Sequence, residues 1–225
     1  QPRSRGLGDV YKRQTLYWRG DGIANAWNTG SAATFWNGRR LCTFTNGNPV
    51  AFDAGGASNA TINLTANVAP SIMNFDGATN FSLSGTGSIT GTTALVKKGS
   101  GQLTLNQAHT FSGGVTIEAG TVLSGHANAL GTGTVNLNGG TWAMGRLTPL
   151  NAVQVAANSY LSGGDSGGAH GVKVISGSAQ LNVTATNVFD FEGSMAAYSG
   201  RVVLGGTGSF RFNGSGGSAL ADFDL

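Results

Sequence analysis

The 225-residue chain contains 38 Gly, 4 Pro and 1 Cys, with 40% apolar and only 10% charged residues. That is enough apolar material for a packed core, and too little Glu, Lys and Leu for a fold of amphipathic helices. The formal net charge of +3 comes from the first stretch of chain, where Arg3, Arg5, Lys12 and Arg13 face the single acid Asp9; beyond it bases and acids balance, and no basic face with interleaved aromatics argues for nucleic acid.

In chain order, the segment Ser4-Arg5-Gly6-Leu7-Gly8-Asp9-Val10-Tyr11-Lys12-Arg13-Gln14 resembles a translated sequencing-adapter sequence. Residues 1–14 are therefore read as a non-native leader outside the fold. No apolar stretch of signal-peptide type begins the chain, and no window approaches the roughly 18 apolar residues of a membrane helix. Residues 15–60 are aromatic-rich, with Tyr17, Trp18, Trp27, Trp36, Phe44 and Phe52. Bulky rings over a terminal apolar layer hide an open ladder edge, so these residues are expected to form N-terminal capping coils. Cys42 has no partner for an internal disulfide and no spacing that suggests a metal site; it is read as core filler.

From residue 61 onward the chain repeats itself. Val115-Thr-Ile117-Glu-Ala-Gly120-Thr121-Val122 superimposes without a gap on Val135-Asn-Leu137-Asn-Gly-Gly140-Thr141-Trp142. Val153, Val155, Asn158, Ser159 and Tyr160 follow the same spacing, then Val172, Val174, Gly177, Ser178 and Ala179. Ile62, Leu64 and Asn67, then Phe81, Leu83 and Thr86, fit more loosely, as do Val202 and Leu204. Apolar and polar residues alternate over three to five positions, and a Gly or Asn beside them supplies a sharp corner. Each unit is thus a strand, a corner and a strand.

Units this short, with like residues at like places, stack best as the coils of a parallel solenoid. The predicted fold is all-β: a right-handed single-stranded parallel β-helix over residues 61–225, with an aromatic-rich N-terminal cap. The chain is expected to stop inside a strand at its C-terminus. Val115, Val135, Val153 and Val172 are predicted to form one inward ladder, and Asn and Thr polar ladders at the corners. A β-sandwich binding module or an up-and-down barrel would also contain many short strands. Those folds, however, call for Asn-Gly or Asp-Gly turns every ~8–12 residues, whereas Asn46-Gly47, Asp76-Gly77 and Asn138-Gly139 punctuate a unit of about twenty.

Several strings resemble active or binding sites. Gly164-Asp165-Ser166-Gly167-Gly168 copies the nucleophile segment of trypsin-like proteases, but no histidine in a suitable context accompanies it, and it reads as a Gly-rich turn. Arg19-Gly20-Asp21 matches a tripeptide bound by integrins; chance and the capping pattern account for it better. A polysaccharide lyase or hydrolase on a β-helix needs clustered carboxylates. Here the acids fall mostly one to a coil, and only Asp190 and Glu192 share a strand face, which is read as solvated. Gly85-Thr-Gly87 and Gly131-Thr-Gly133 lack a following helix to bind phosphate. His109, His126 and His170 are too far apart in sequence to suggest a metal site, and Lys97-Lys98 and Arg39-Arg40 stand as isolated basic pairs.

Residues 94–144 combine a Lys-x-Gly-x-Gly-x-Leu-x-Leu strand from Lys97, a Phe-Ser-Gly-Gly turn from Phe111, an Ile-x-x-Gly-Thr strand from Ile117 and an Ala-Leu-Gly turn from Ala129. In that order they resemble the autotransporter-associated β-strand repeat, also called the passenger-associated transport repeat, and the aromatic opening resembles the start of such passengers. The resemblance implies a passenger exported across the inner membrane and displayed at or released from the outer membrane by its own C-terminal β-barrel, which these residues do not include. It implies an extracellular or cell-surface stalk with a structural or adhesive role, meeting surface glycans or other cells, and not an enzyme. No catalytic, cofactor-binding or metal-ligating residue is expected, and the binding residues are left unassigned. A β-helix polysaccharide-degrading enzyme and a β-sandwich binding module are the alternatives.

Overall fold

Alternating apolar and polar side chains put one face of each strand inward, and the computed structural model shows where those faces meet. It describes residues 14–30, 33–145, 151–163, 169–212 and 222–224. The first strands are short: β1 (Leu16–Trp18), β2 (Ala26–Trp27), β3 (Phe35–Trp36), β4 (Leu41–Cys42) and β5 (Val50–Phe52). A short 3-10 helix, Ala54–Asn59, follows, with Asp53 accepting the Gly55 N–H at its start. Then come β6 (Thr61–Leu64), β7 (Ile72–Phe75), β8 (Phe81–Gly85), β9 (Ala94–Lys97), β10 (Gln102–Leu105), β11 (Val115–Ile117) and β12 (Thr121–Ser124). The array continues with β13 (Val135–Asn138), β14 (Thr141–Met144), β15 (Ala152–Ala157), β16 (Ser159–Gly163), β17 (Ala169–Gly177) and β18 (Leu181–Ala185). It ends in β19 (Val188–Tyr198), β20 (Arg201–Gly206), β21 (Ser209–Phe212) and β22 (Asp222–Asp224).

From β5 onward the odd-numbered strands pair in parallel with one another in a 12-stranded sheet, which β1, β3 and β4 complete at one end. β2 and the even-numbered strands from β6 onward form a second, 10-stranded sheet. The chain passes from one sheet to the other and back in each coil, so the fold is a parallel β-solenoid. A third side, between the second sheet and the first, is held by single backbone hydrogen bonds: Val68 and Ile89 bridge in parallel, and the Thr110 and Thr132 N–H groups donate to the carbonyls of Ile89 and Phe111 at 3.0 and 2.9 Å. Later coils are less regular, since β17 and β19 run to 9 and 11 residues and shift register where they pair.

The core is built from columns. Leu16, Val50, Met73, Leu95, Val115, Val135, Val153 and Ile175 stand on one another in register, and all are buried. In the second sheet Phe81, Leu103, Val122, Trp142, Leu161, Val183 and Leu204 do the same. Beside the bulky Trp142 the adjoining column narrows to Ser124, whose hydroxyl accepts the indole N–H at 3.0 Å. A large side chain and a small polar one share the layer, and the indole N–H is satisfied.

Two sequence expectations shift here. The rung above Val153 is Ile175, not Val172, because β17 enters the sheet earlier than the repeat spacing implies; Val172 stacks under Phe191 instead, and Val174 is 43% exposed. Likewise Tyr160 does not continue the column of Val122 and Trp142. Leu161 does, and Tyr160 faces outward beside Thr141, 51% exposed.

At the N-terminal end the parallel order breaks. β3 pairs antiparallel with β1, and β4 antiparallel with β3. Trp18, Trp27, Phe35, Phe44 and Phe52 are buried together there, with Trp18 and Phe35 edge-to-face at 5.2 Å and Trp27 and Phe44 at 5.4 Å. The cluster continues into the coils through Phe52, stacked on Phe75 at 4.2 Å. No helix among the described residues is long and apolar enough to cross a membrane.

Truncating a column residue removes apolar contact and leaves a cavity between fixed neighbours. Val135→Ala is expected to lower stability by about 2 kcal/mol, whereas outward-facing Asn136→Ala changes it by less than about 0.5 kcal/mol; guanidinium unfolding followed by circular dichroism checks both.

Candidate functional site

The Lys-x-Gly-x-Gly motif has a definite physical role. Lys97 occupies an inward position of β9, in a column with Phe75 on one side and Ile117 on the other, and is only 2% exposed. Its Nζ turns to the corner and donates to the carbonyls of Lys98 at 2.6 Å and Gly99 at 2.9 Å. A third donation, at 3.3 Å, reaches the Ala119 carbonyl of the next coil. Burial pushes this ammonium below its usual pKa, with Asp76 acting in the opposite sense. Gly99 has φ +66, and a Cβ there would meet the Gly77 backbone at 2.3 Å, so the corner admits no side chain. Read from sequence as half of an isolated basic pair, Lys97 gives no signal of burial except its place at an inward position of an alternating strand.

Other polar groups, Asn151 and His109 buried and four asparagines exposed, close corners in related ways. Asn151, 3% exposed, donates through Nδ2 to the carbonyls of Gly133 at 2.7 Å and Gly131 at 3.2 Å. The side-chain carbonyls of Asn46, Asn67, Asn80 and Asn158 accept the N–H groups of Ala69, Ser88, Gln102 and Gln180, one coil on, at 2.8 to 3.1 Å. His109 is buried with Nδ1 accepting the Ile89 N–H at 3.1 Å, while Nε2 has no partner. Burial first, and then the nearby His126, lower its pKa from 6.5 to about 4.

The acids and sequence motifs are placed as follows. Asp21 Oδ1 accepts the N–H groups of Ile23, Ala24 and Asn25 at 2.9, 3.0 and 2.7 Å, and the first of these bonds does most to lower its pKa. Arg19 Nη1 donates to Asp53 at 2.7 Å and to the Trp18 carbonyl at 2.6 Å. Both charges of Arg19-Gly20-Asp21 are thus committed within the molecule. Asp76 holds the Gly77 N–H, and Glu118 lies 3.7 Å from Lys98. The reading of Asp190 and Glu192 as a solvated face is corrected: Asp190 is 1% exposed and takes both Nε and Nη2 of Arg211 at 2.6 and 2.7 Å, because β19 departs from strict alternation there. Gly164-Asp165-Ser166-Gly167-Gly168 and the His170 side chain lie outside the described residues. Among the described residues no group of three or more His, Cys, Asp or Glu is placed to hold a metal ion.

The outer faces of the sheets are uncharged over much of the array. Ala51, Asn74, Val96, Thr116, Asn136 and Gln154 form one outward row, and Gln102, Thr121, Thr141, Tyr160 and Asn182 another. Tyr17 and Tyr160, the exposed tyrosines among the described residues, stand on different sheets and form no line.

Comparison with known proteins relates this parallel β-solenoid to autotransporter passengers. Residues 95–123 match the family described as passenger-associated-transport-repeat, and the chain carries that repeat. The chain is also distantly related to the adhesin BmaC autotransporter of Brucella suis biovar 1 (strain 1330), with 31% identity over 175 residues, covering 72% of this chain. It spans 5% of the length of that relative. No solved structure matches it.

Two outcomes test the buried polar groups. Lys97→Met keeps the stem but leaves the corner carbonyls without their donor, and is expected to lower stability by about 2 kcal/mol; Lys98→Met, on the surface, changes it by less than about 0.5 kcal/mol. His109 has its pKa depressed in the fold, so the unfolded chain takes up the proton first as pH falls. Its contribution is complete above pH 6.5 and shrinks as pH drops toward about 4, by about 2 kcal/mol between pH 6.5 and 5. Denaturation midpoints across that range should fall in the wild type and flatten in His109→Leu.

Proposed function

We propose that the chain is a section of an exported passenger, shown at or released from the surface of a Gram-negative-type cell, where it serves as a non-enzymatic rod with an adhesive role. An outer-membrane β-barrel elsewhere in the parent protein would be its translocator. Residues 15–60 act in this reading as the cap that closes the first apolar layer. The observation that carries the proposal is the similarity to an adhesin across 72% of the chain, on a fold whose regular faces offer flat, uncharged surface. The degradative-enzyme reading draws little support, because Asp21, Asp53, Asp76, Glu118 and Asp190 each face an internal N–H group or cation. A glycosidase or a Ca²⁺-dependent lyase needs carboxylates free to act together.

The spacer reading within the same class draws on the lack of a line of exposed tyrosines across the coils among the described residues, since Tyr17 and Tyr160 lie on separate sheets. Display on a non-adherent bacterium through a heterologous outer-membrane barrel separates the two. An adhesive segment raises retention on epithelial cells several-fold over the empty carrier, and Asp21→Glu leaves that gain unchanged. Retention equal to the carrier would overturn adhesion and leave the spacer.

A further inference from the structure

The one antiparallel hairpin among the described residues, β3 with β4, lies beside a concavity. Between β3 and β4 the chain turns through residues 37–40, with Gly38 at φ +88. Asn37 Oδ1 accepts the N–H groups of both Arg39 and Arg40 at 3.0 Å, and the Asn37 N–H donates to the Arg40 carbonyl at 3.2 Å. The turn is anchored from below by Phe35, fully buried, and by Cys42, packed against the core. It therefore holds two exposed guanidinium-bearing residues side by side on a fixed base.

Beside the hairpin lies a cavity of about 520 Å³, lined by Arg39, Arg40, Thr43, Thr45 and Asn48, by Asn37 and by Gln14, whose side-chain amide donates to the Asn37 carbonyl, with Leu16 and Cys42 adding apolar surface. That volume falls in the ~300–1,000 Å³ range of small-molecule sites. Arg19 and Arg211 are each held by a carboxylate, but no carboxylate of the described residues pairs with Arg39 or Arg40, and none lines the cavity. Both arginines line one cavity, and an anion held in it takes charge-assisted, fork-shaped hydrogen bonds from guanidinium groups. Threonine hydroxyls and asparagine amides around them suit sugar hydroxyls, and the apolar patch suits the C–H face of a sugar ring.

We propose that this cleft binds an acidic sugar unit, a saccharide bearing carboxylate or sulfate, with Arg39 and Arg40 holding the anionic group. The proposal rests on the adhesive reading above and gives it a ligand class. The test is calorimetric titration of the full chain with a heparin tetrasaccharide, a hyaluronan tetrasaccharide and neutral chitotetraose. At least one acidic probe is expected to bind and the neutral one not to. The double variant Arg39→Gln/Arg40→Gln should weaken acidic binding at least tenfold with an unchanged circular dichroism spectrum. Because Arg3, Arg5, Lys12 and Arg13 could attract any polyanion, a variant with all four changed to Gln is the control, and it should keep affinity within about twofold of wild type. Undiminished binding by the Arg39/Arg40 variant, loss only in the control, equal binding of chitotetraose, or no acidic binding would each overturn the cleft. Retention on cells without sugar binding would sink the cleft alone; sugar binding without retention would sink the adhesive reading alone.

Discussion

Each coil of this protein depends on its neighbours to complete its backbone. A single turn has N–H and C=O groups pointing up and down along the rod, with no partners of its own, and only the next coil satisfies them. The rest follows from that requirement. Register is set by what must lie above what, so inward positions become columns, as in Leu95, Val115, Val135 and Val153. Slipping any strand by one residue would put polar Thr116 or Asn136 into the core. Partners lie about one coil apart in sequence, so order can spread from coil to coil once a first pair has formed.

Strands satisfy their hydrogen bonds by pairing, but corners do not, and polar side chains both buried and exposed complete them. The ammonium of Lys97, the amide of Asn151 and the side-chain carbonyls of Asn46, Asn67, Asn80 and Asn158 each meet backbone groups that the turn leaves over. Burying an ammonium in an apolar column is costly unless several oxygens meet it. Three carbonyls do so at Lys97, one of them from the adjoining coil, so the residue that breaks the column also ties two coils together.

The solenoid was legible because its period is repeated and its alternation strict where the coils are regular. Val115, Val135 and Val153 stand where the repeat predicts them. Legibility fails where the coil changes length. Val172 and Tyr160 align by spacing alone; the nine-residue β17 puts Ile175 in its column, and Leu161 takes its own after the register shift between β13 and β15 at Leu137/Asn138. Paired charges also mislead. Asp190 looks solvated in a sequence until Arg211, a coil away, is seen to cover it, and Lys97 looks like its surface neighbour Lys98. No local pattern brings Arg39 and Arg40 together with Thr43, Thr45 and Asn48 around a cavity; that arrangement arises only where the chain abandons the repeat.

This last point bears on where specificity can reside in a rod of this kind. A stacked array yields faces whose shape is fixed by backbone spacing: outward rows are nearly flat, evenly spaced and here uncharged, and they give a partner area without a pocket. A concave site with convergent charges requires a break in the stacking. The antiparallel hairpin supplies one, because it is anchored by buried aromatics and, among the described residues, no strand pairs beyond β4. The aromatic cluster buried beneath the hairpin therefore also supports the concave, cationic surface beside it.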